Sequence, residues 1–215
     1  MKMIKVIFFD FDGTILDTRD LAVRAFVRTL DELGLKYSEK DFGLLGMKMR
    51  LILKKLGLEK NRIECGRELF YKNYIDGLTK SGARPCVSLE SLYKLKKNFS
   101  LIVVSNSDMR FLDLAIDEMK IGDLFDGVYG AEDGKSKVDI LADVLAKRGF
   151  MIEEAVYVGD RFSDVRFSKK AGMKVIAVSN SCSWSTREEL EKEKPDFVVK
   201  DFLELGKVLK KLNVK

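Results

Sequence analysis

The chain has 215 residues, of which 46% are hydrophobic and 34% are charged, and its formal net charge is +5. This composition suits one large globular domain, with or without a smaller insertion. The chain contains no histidine, which excludes Ser-His-Asp triads, Cys-His dyads and HExxH zinc sites. Any acid–base chemistry must therefore come from carboxylate, lysine, tyrosine or cysteine side chains.

The predicted elements divide the chain into a helical stretch and an alternating α/β part. The first strand is Val6–Phe9, an unbroken apolar run typical of strands buried on both faces. Residues 18–82 then show helical periodicity with no convincing strand, and a capping-box pattern at Ser38 predicts a helix start there. From residue 83 onward strands alternate with helices, which indicates a parallel sheet covered on both faces. The further predicted strands are residues 101–104, 127–129, 155–158, 174–178 and 197–199, and the helices are residues 89–95, 111–119, 137–148, 165–171, 187–192 and 202–212.

Polar residues follow three of these strands at the point where each strand ends. Ligands of parallel sheets bind outside the carboxyl ends of the strands, so neighbouring strands would bring these groups into one crevice. Carboxylates offer the hard oxygen ligands that Mg²⁺ prefers, and an aspartate can attack a phosphate ester if Mg²⁺ and a lysine cancel the charge repulsion. The candidate residues are Asp10, Asp12, Ser105, Asn106, Lys135, Lys137, Gly159, Asp160 and Asp164.

Four short motifs, in this order, resemble those of the haloacid dehalogenase-like hydrolase superfamily. Residues 10–14 (DFDGT) resemble the first motif and residues 103–106 (VVSN) the second. Lys135 or Lys137 resembles the third, and residues 158–164 (VGDRFSD) the fourth. The match covers essentially the whole chain. A helical insertion directly after the first motif is similar to the cap domain of the phosphoglycolate phosphatase and β-phosphoglucomutase branch.

The resemblance implies roles for the catalytic and metal-binding residues. Asp10 would be the nucleophile that forms an aspartyl-phosphate. Asp12 would be the general acid to the leaving alcohol and then the general base for water. The carboxylates of Asp10 and Asp160, with the backbone carbonyl of Asp12, would bind Mg²⁺, and Asp164 would orient the metal or the lysine.

The resemblance also implies a phosphate-binding set. Ser105, Asn106 and one lysine would hold the phosphate, together with the loop residues Gly13 and Thr14, whose backbone N–H groups would face it. The aspartate at position 12 favours phosphate esters as substrates, because branches of the family that cleave carbon–halogen or carbon–phosphorus bonds lack it.

Two lysines compete for the place in the third motif. The Lys-Pro-x-Pro-Asp pattern of many capped members would match Lys135 through Asp139, although both prolines are missing here. The phosphoserine phosphatase pattern places the lysine in the first helical turn, which matches Lys137. A predicted helix cap at Ser136 favours Lys137 over Lys135.

We therefore predict an α/β fold: a doubly wound, Rossmann-like parallel sheet with an inserted α-helical cap domain. The core would comprise residues 1–17 plus 83–215, and the cap residues 18–82. The predicted function is Mg²⁺-dependent hydrolysis of a small phosphorylated metabolite through an aspartyl-phosphate. Two alternatives stay open, a phosphosugar mutase of the β-phosphoglucomutase type and a non-catalytic binding protein on the same fold.

Cysteine usage and charge patterns predict the cellular setting. Three cysteines at no metal-like spacing are typical of reduced thiols in a cytoplasmic protein. No apolar run reaches the roughly 18 residues of a membrane helix, so no membrane partner is expected. The basic C-terminal stretch lacks the interleaved aromatic residues that favour nucleic-acid binding, so no nucleic-acid partner is expected either. The sequence predicts neither a particular substrate nor an oligomeric state.

Overall fold

One six-stranded parallel sheet forms the centre of the computed structural model. The structure describes residues 2–131 and 135–213, so positions 1, 132–134 and 214–215 of the predicted core domain lie outside the described residues. The strands are β1 (Val6–Phe9), β2 (Ser100–Val104), β3 (Gly127–Tyr129), β4 (Ala155–Gly159), β5 (Lys174–Val178) and β6 (Phe197–Val199). Their order across the sheet is β3-β2-β1-β4-β5-β6, so β1 is central and lies between β2 and β4.

The register of the three central strands brings their carboxyl ends together. All of β1 is buried, and Phe9 at its end lies opposite Val103 of β2 and Val158 of β4. Because both pairings are parallel, the residues that follow these strands emerge side by side at one edge of the sheet.

The insertion after β1 is helical. Its α-helices are α1 (Arg19–Leu33), α2 (Met49–Lys55) and α3 (Ile63–Ser81), and α1 packs against α3. The helix predicted to start at Ser38 is a 3₁₀ segment, Glu39–Leu44, rather than an α-helix. The capping box of Ser38 and Asp41 is present, but a glycine at position 43 disfavours a longer helix.

Two adjacent chain segments connect the insertion to the core. The backbone N–H of Cys86 donates to the carbonyl of Ile15 at 2.8 Å, and the N–H of Asp17 donates to the carbonyl of Arg84 at 2.8 Å. The outgoing and returning segments therefore run antiparallel beside each other. The predicted limits after residue 17 and before residue 83 fall at this crossing, and we retain them as proposed domain boundaries.

The core helices cover both faces of the sheet. They are α4 (Leu89–Lys96), α5 (Met109–Met119), α6 (Lys137–Arg148), α7 (Phe162–Lys170), α8 (Arg187–Lys192) and α9 (Phe202–Asn213). Successive side chains of β1 point to opposite faces: Ile7 and Phe9 join α4, α5 and α9 in one cluster, whereas Val6 and Phe8 join α6 in another. The predicted doubly wound α/β fold with a helical insertion is confirmed.

Across the described ranges, none of the helices combines the length and the apolar character needed to span a bilayer.

Candidate active site

The carboxyl edge of the central strands carries a buried acidic cluster. Asp10 follows β1, Asp160 follows β4, and Asp164 lies in the first turn of α7. Carboxylate oxygens of these three residues all lie within 4.8 Å of one another. Asp160 accepts hydrogen bonds from the Thr14 hydroxyl at 2.8 Å and from the backbone N–H of Trp184 at 2.7 Å. The fold therefore fixes three carboxylates around one point below the surface.

The electrostatics of this cluster suit a bound cation. Burial raises the pKa of Asp160 well above its ordinary value, and the charges of Asp164 and Asp10 raise it further. Burial also raises the pKa of Asp164, although the neighbouring Lys137 opposes the shift. Like charges this close cannot all ionise without compensation. An oxygen-only donor set of this kind fits a hard divalent metal ion.

The predicted metal ligands only partly coincide with this cluster. Asp10 and Asp160 belong to it as expected, and Asp164, for which an orienting role was predicted, is a third member. Asp12 was predicted to contribute its backbone carbonyl, and that role stays a prediction.

Lys137, and not Lys135, lies in this site. Its Nζ is 3.0 Å from Oδ2 of Asp10 and 3.2 Å from Oδ1 of Asp164. It also donates to the Tyr157 hydroxyl at 3.0 Å. Burial lowers the pKa of Lys137, but the charges of Asp10 and Asp164 outweigh burial and raise it overall, so the amine is an ammonium. By contrast, Lys135 is half-exposed and pairs with Asp143 on the surface of α6 at 3.1 Å.

Local structure explains the position of Lys137. Ser136 caps α6: its backbone N–H donates to the Asp139 carboxylate at 2.7 Å, and its hydroxyl accepts from the N–H of Asp139 at 3.2 Å. Lys137 is therefore the first residue of the helix and points back over its N-terminus. The Tyr157 hydroxyl, which donates to the carbonyl of Val104 at 2.9 Å, orients the ammonium from the opposite side.

Asp12 occupies a different environment from Asp10. Its Oδ1 accepts a hydrogen bond from the Tyr74 hydroxyl of the cap at 2.7 Å, and its Oδ2 accepts one from the Ser107 hydroxyl at 2.6 Å. Removal from bulk water raises the pKa of Asp12; the Ser107 and Tyr74 hydrogen bonds oppose this rise and the charge of Asp10 adds to it. One aspartate thus lies beside an ammonium, and the other lies among neutral hydroxyls. Such a difference separates a nucleophile from a proton donor.

The predicted phosphate-binding side chains of the second motif lie at the mouth of the site. The Ser105 hydroxyl is buried, is 3.4 Å from Oδ2 of Asp12 and accepts the N–H of Ser107 at 3.1 Å. The Asn106 amide donates to the carbonyl of Gly46 in the cap at 2.9 Å. Asn106 therefore bridges core and cap, and phosphate binding by either residue stays a prediction.

The loop of the first motif forms a turn that is closed by hydrogen bonds between its own backbone groups. The N–H of Gly13 donates to the carbonyl of Leu16 at 2.8 Å, and the N–H of Thr14 donates to the carbonyl of Phe11 at 3.3 Å. In this conformation both amides have partners within the loop, and the Thr14 hydroxyl is directed to Asp160. Their predicted contact with phosphate would need these turn hydrogen bonds to be exchanged, and it stays a prediction.

The cap closes over the two aspartates. Tyr74 of α3 stacks on Phe111 of α5 with ring centroids 4.0 Å apart, and Arg67 pairs with Asp108 at 2.5 Å. The cavity left between cap and core has about 40 Å³, which is room for a few water molecules. A substrate could be admitted only if the cap moved. The lining residues are Asp10, Asp12, Ala22, Leu45, Gly46, Met47, Met49, Phe70, Tyr71, Tyr74, Ser105, Asn106, Ser107, Arg161 and Trp184.

Sequence reasoning missed several of these residues. Ser107 continues the polar run after β2 and could have been found from its position. Trp184 lies in the loop after β5, where its backbone N–H donates to Asp160 and its ring lines the cavity. Tyr74 and Tyr157 carry no local signal, because a helix and a buried strand place them there through tertiary contacts.

Comparison with known proteins identifies the family. A family model described as haloacid dehalogenase-like hydrolase matches residues 7–178. That span exceeds half of the chain, and the chain therefore belongs to the haloacid dehalogenase-like hydrolases. The resemblance drawn from the four motifs is confirmed, and the chain is an enzyme of the hydrolase class.

Individual relatives match along most of the chain. A protein of Caldanaerobacter subterraneus subsp. tengcongensis with the provisional name pyrophosphatase PpaX is 33% identical over 218 residues, covering 96% of this chain and 95% of its own. Phosphoglycolate phosphatase of Aquifex aeolicus is 33% identical over 179 residues, covering 79% of this chain and 82% of its own. The crystal structure of CbbY from Rhodobacter sphaeroides in complex with phosphate has a TM-score of 0.80 at 21% identity, covering 95% of this chain and 97% of that one. This last likeness shows the shared fold.

Proposed function

We propose that this hydrolase is a phosphatase that cleaves a small phosphorylated metabolite through an aspartyl-phosphate on Asp10. The observation that carries the proposal is the contrast between the two aspartates. Asp10 lies 3.0 Å from the Lys137 ammonium, whereas Asp12 is held by hydroxyl groups and its pKa is raised. Relatives named as a phosphoglycolate phosphatase and a pyrophosphatase support the same reaction class.

The first step would be attack by a carboxylate oxygen of Asp10 on phosphorus. A new bond between this oxygen and phosphorus forms while the bond from phosphorus to the ester oxygen breaks. Lys137 reduces the repulsion between the carboxylate and the phosphate, since opposite charges at such distances interact strongly inside a protein. Asp12, in the protonated form that burial favours, would give its proton to the departing alkoxide.

The second step would return the enzyme to its starting state. Asp12, now a carboxylate, accepts a proton from a water molecule that attacks the phosphorus of the aspartyl-phosphate. The bond from phosphorus to Asp10 breaks, inorganic phosphate leaves, and Asp12 is protonated again. Tyr74 and Ser107 keep the Asp12 carboxylate in place through both proton transfers.

We propose Mg²⁺ as the metal that the acidic cluster holds. Its ligands would be Asp10, Asp160 and the backbone carbonyl of Asp12. Asp164 would hold Lys137 in position through their ion pair. When bound, Mg²⁺ would supply positive charge against the phosphate oxygens. The oxygen donors and the raised pKa of Asp160 support this assignment. A cytoplasmic location fits an enzyme with the three free thiols Cys65, Cys86 and Cys182.

A panel of phosphorylated metabolites, assayed with Mg²⁺ for release of inorganic phosphate, tests the proposal. The Asp10→Asn variant should lose release by about 10³-fold or more, because it lacks the nucleophile. Asp113→Asn, on the exposed side of α5, is the matched control and should keep full activity.

Three outcomes would contradict the proposed function. Release that survives Asp10→Asn would refute the aspartyl-phosphate. Conversion of one sugar phosphate isomer into another without net release would indicate a mutase. An absence of release from every compound, including an aryl phosphate, would indicate a binding protein.

A further inference from the structure

Three hydrogen-bond donor atoms on two side chains of the active site have no acceptor among the described residues. Nε and Nη1 of Arg161 are buried without a hydrogen-bond partner, and so is Nε1 of Trp184, within the part of the chain that the structure describes. Buried polar groups are nearly always paired, and a buried charge is paired almost without exception. Orphaned donors on two neighbouring side chains therefore indicate a missing acceptor.

The two side chains that carry these donor atoms lie next to each other. The Arg161 guanidinium lies 5.0 Å from the centre of the Trp184 ring, an arrangement that holds a cation over an aromatic face. Both side chains line the same cavity as Asp10 and Asp12. The missing acceptor would thus lie within the closed site and not on the outer surface.

Two glycines leave the space for these side chains. Gly46 has a φ of +94°, and a Cβ there would lie 2.2 Å from Nη1 of Arg161. Gly13 has a φ of +78°, and a Cβ there would lie 2.3 Å from Cδ1 of Trp184. Only glycine combines this backbone conformation with so close an approach.

The position of Gly46 places the guanidinium at the boundary between cap and core. Gly46 belongs to the cap, and its carbonyl is held by Asn106 of the core. The nucleophile Asp10 and the ammonium of Lys137 lie instead deep at the end of β1. A group bound by Arg161 would therefore be on the leaving-group side of the substrate, towards the cap.

We propose that Arg161 and the indole N–H of Trp184 form a subsite for a second anionic group, a carboxylate or a phosphate, on the leaving group of the substrate. This inference rests on the proposed phosphatase function. A guanidinium suits either anion because its N–H donors form a rigid fork that matches paired oxygens. The rest of the lining on the cap side includes Leu45, Met47 and Phe70, so the subsite would favour a small anionic leaving group.

Two probes of similar size separate this subsite from general phosphate binding. Phosphoglycolate carries a carboxylate on the leaving group, and 2-hydroxyethyl phosphate carries a neutral hydroxyl. Binding of each is measured by titration calorimetry in the Asp10→Asn background, where no turnover is expected, and kcat/KM is measured with Asp10 present.

Arg161→Gln should weaken phosphoglycolate binding and lower its kcat/KM by about 10- to 100-fold. The values for 2-hydroxyethyl phosphate should change by less than about threefold. Trp184→Phe keeps the ring and removes one donor, so phosphoglycolate should lose about 3- to 10-fold. The control is Arg166→Gln, an equal loss of charge on the exposed side of α7, the helix that begins directly after Arg161, and it should leave both probes unchanged.

Several results would overturn the subsite. One is an equal loss for both probes, which would place Arg161 on the transferred phosphoryl group. Another is binding of phosphoglycolate to the Asp10→Asn protein that is no tighter than that of 2-hydroxyethyl phosphate. If the binding contrast holds but Asp10 enzyme releases no phosphate from either probe, the subsite stands and the proposed function fails.

Discussion

Replacement of Lys137 by methionine removes the cation from the acidic cluster and keeps the length of the side chain. The ammonium lies 3.0 Å from Asp10 and 3.2 Å from Asp164, and all three groups are buried. A pair of unit charges at 3 Å interacts by about 5 kcal/mol at an effective dielectric near 20. Breaking a buried pair by removing one partner costs about 3–5 kcal/mol. We expect Lys137→Met to lower the free energy of unfolding by about this amount in metal-free protein.

The loss of unfolding free energy in Lys137→Met should be smaller at low pH and smaller when Mg²⁺ is present. With the ammonium gone, the pKa of Asp164 should rise further, because the charge of Lys137 opposes the effect of burial on this carboxyl. The folded state would then bind more protons than the unfolded chain, so unfolding free energy falls as pH rises. Urea unfolding of Lys137→Met should therefore show a smaller deficit at pH 5 than at pH 7, and Mg²⁺ should also restore part of it by binding the folded state.

Activity should fall together with stability in Lys137→Met, and neither should fall in Lys135→Met. Lys137→Met should lose at least about 100-fold in kcat/KM, since the charge opposite the phosphate is gone. Lys135→Met is the matched control: its half-exposed side chain pairs with Asp143 at the surface, where a salt bridge contributes about 0–1 kcal/mol. An active Lys137→Met protein, or a loss in Lys135→Met that equals it, would refute the assignment of the lysine.

Three further predictions concern the cap, the metal and pH. Tyr74→Phe keeps the stack on Phe111 but removes the hydrogen bond to Asp12; kcat should fall about tenfold, and the limb of the pH–rate profile that reports Asp12 should shift to higher pH. Asp160→Asn should abolish the stabilisation by Mg²⁺ in thermal unfolding while the metal-free variant becomes more stable than metal-free wild type. Metal-free wild type should lose stability as pH rises from about 4 into the neutral range, because the pKa values of Asp160 and Asp164 are raised in the folded state. A stability of metal-free wild type that rises with pH would contradict the last prediction. An unshifted pH–rate profile of Tyr74→Phe would contradict the first.

The sequence was sufficient for the residues that strand ends position. An unbroken apolar run such as Val6–Phe9 predicts a buried parallel strand, and parallel strands open at the same edge. This geometry places Asp10, Ser105 and Asp160 together because β2, β1 and β4 are neighbours in the sheet. The Ser136 cap likewise indicated where α6 begins, and with it which lysine points over the helix N-terminus. The sequence predicts these positions because each residue is placed by the end of a single strand or helix.

The residues that sequence reasoning did not find depend on two elements at once. Tyr74 reaches Asp12 only because α3 of the cap packs on Phe111 of α5. Arg161 belongs to the fourth motif, yet its environment comes from Gly46, more than a hundred positions away in the chain. No periodicity or spacing encodes such contacts, since they arise from the closure of cap on core. The helix predicted to begin at Ser38 does begin there, but as a 3₁₀ segment of six residues that includes a glycine.

The chain contains no histidine, and the proposed mechanism assigns both the acid and the nucleophile to aspartates. The two aspartates are separated by a single residue, so their opposite roles must come from their surroundings. The core supplies the surroundings of Asp10 through Lys137, which belongs to α6. The cap supplies part of the surroundings of Asp12, since the Tyr74 hydroxyl of α3 donates to its carboxylate. In the proposed mechanism, opening of the cap would remove this hydrogen bond and admit bulk water, so proton donation would be coupled to closure. The proposed nucleophile would therefore depend on contacts within the core, and the proposed acid on contacts from both the cap and the core.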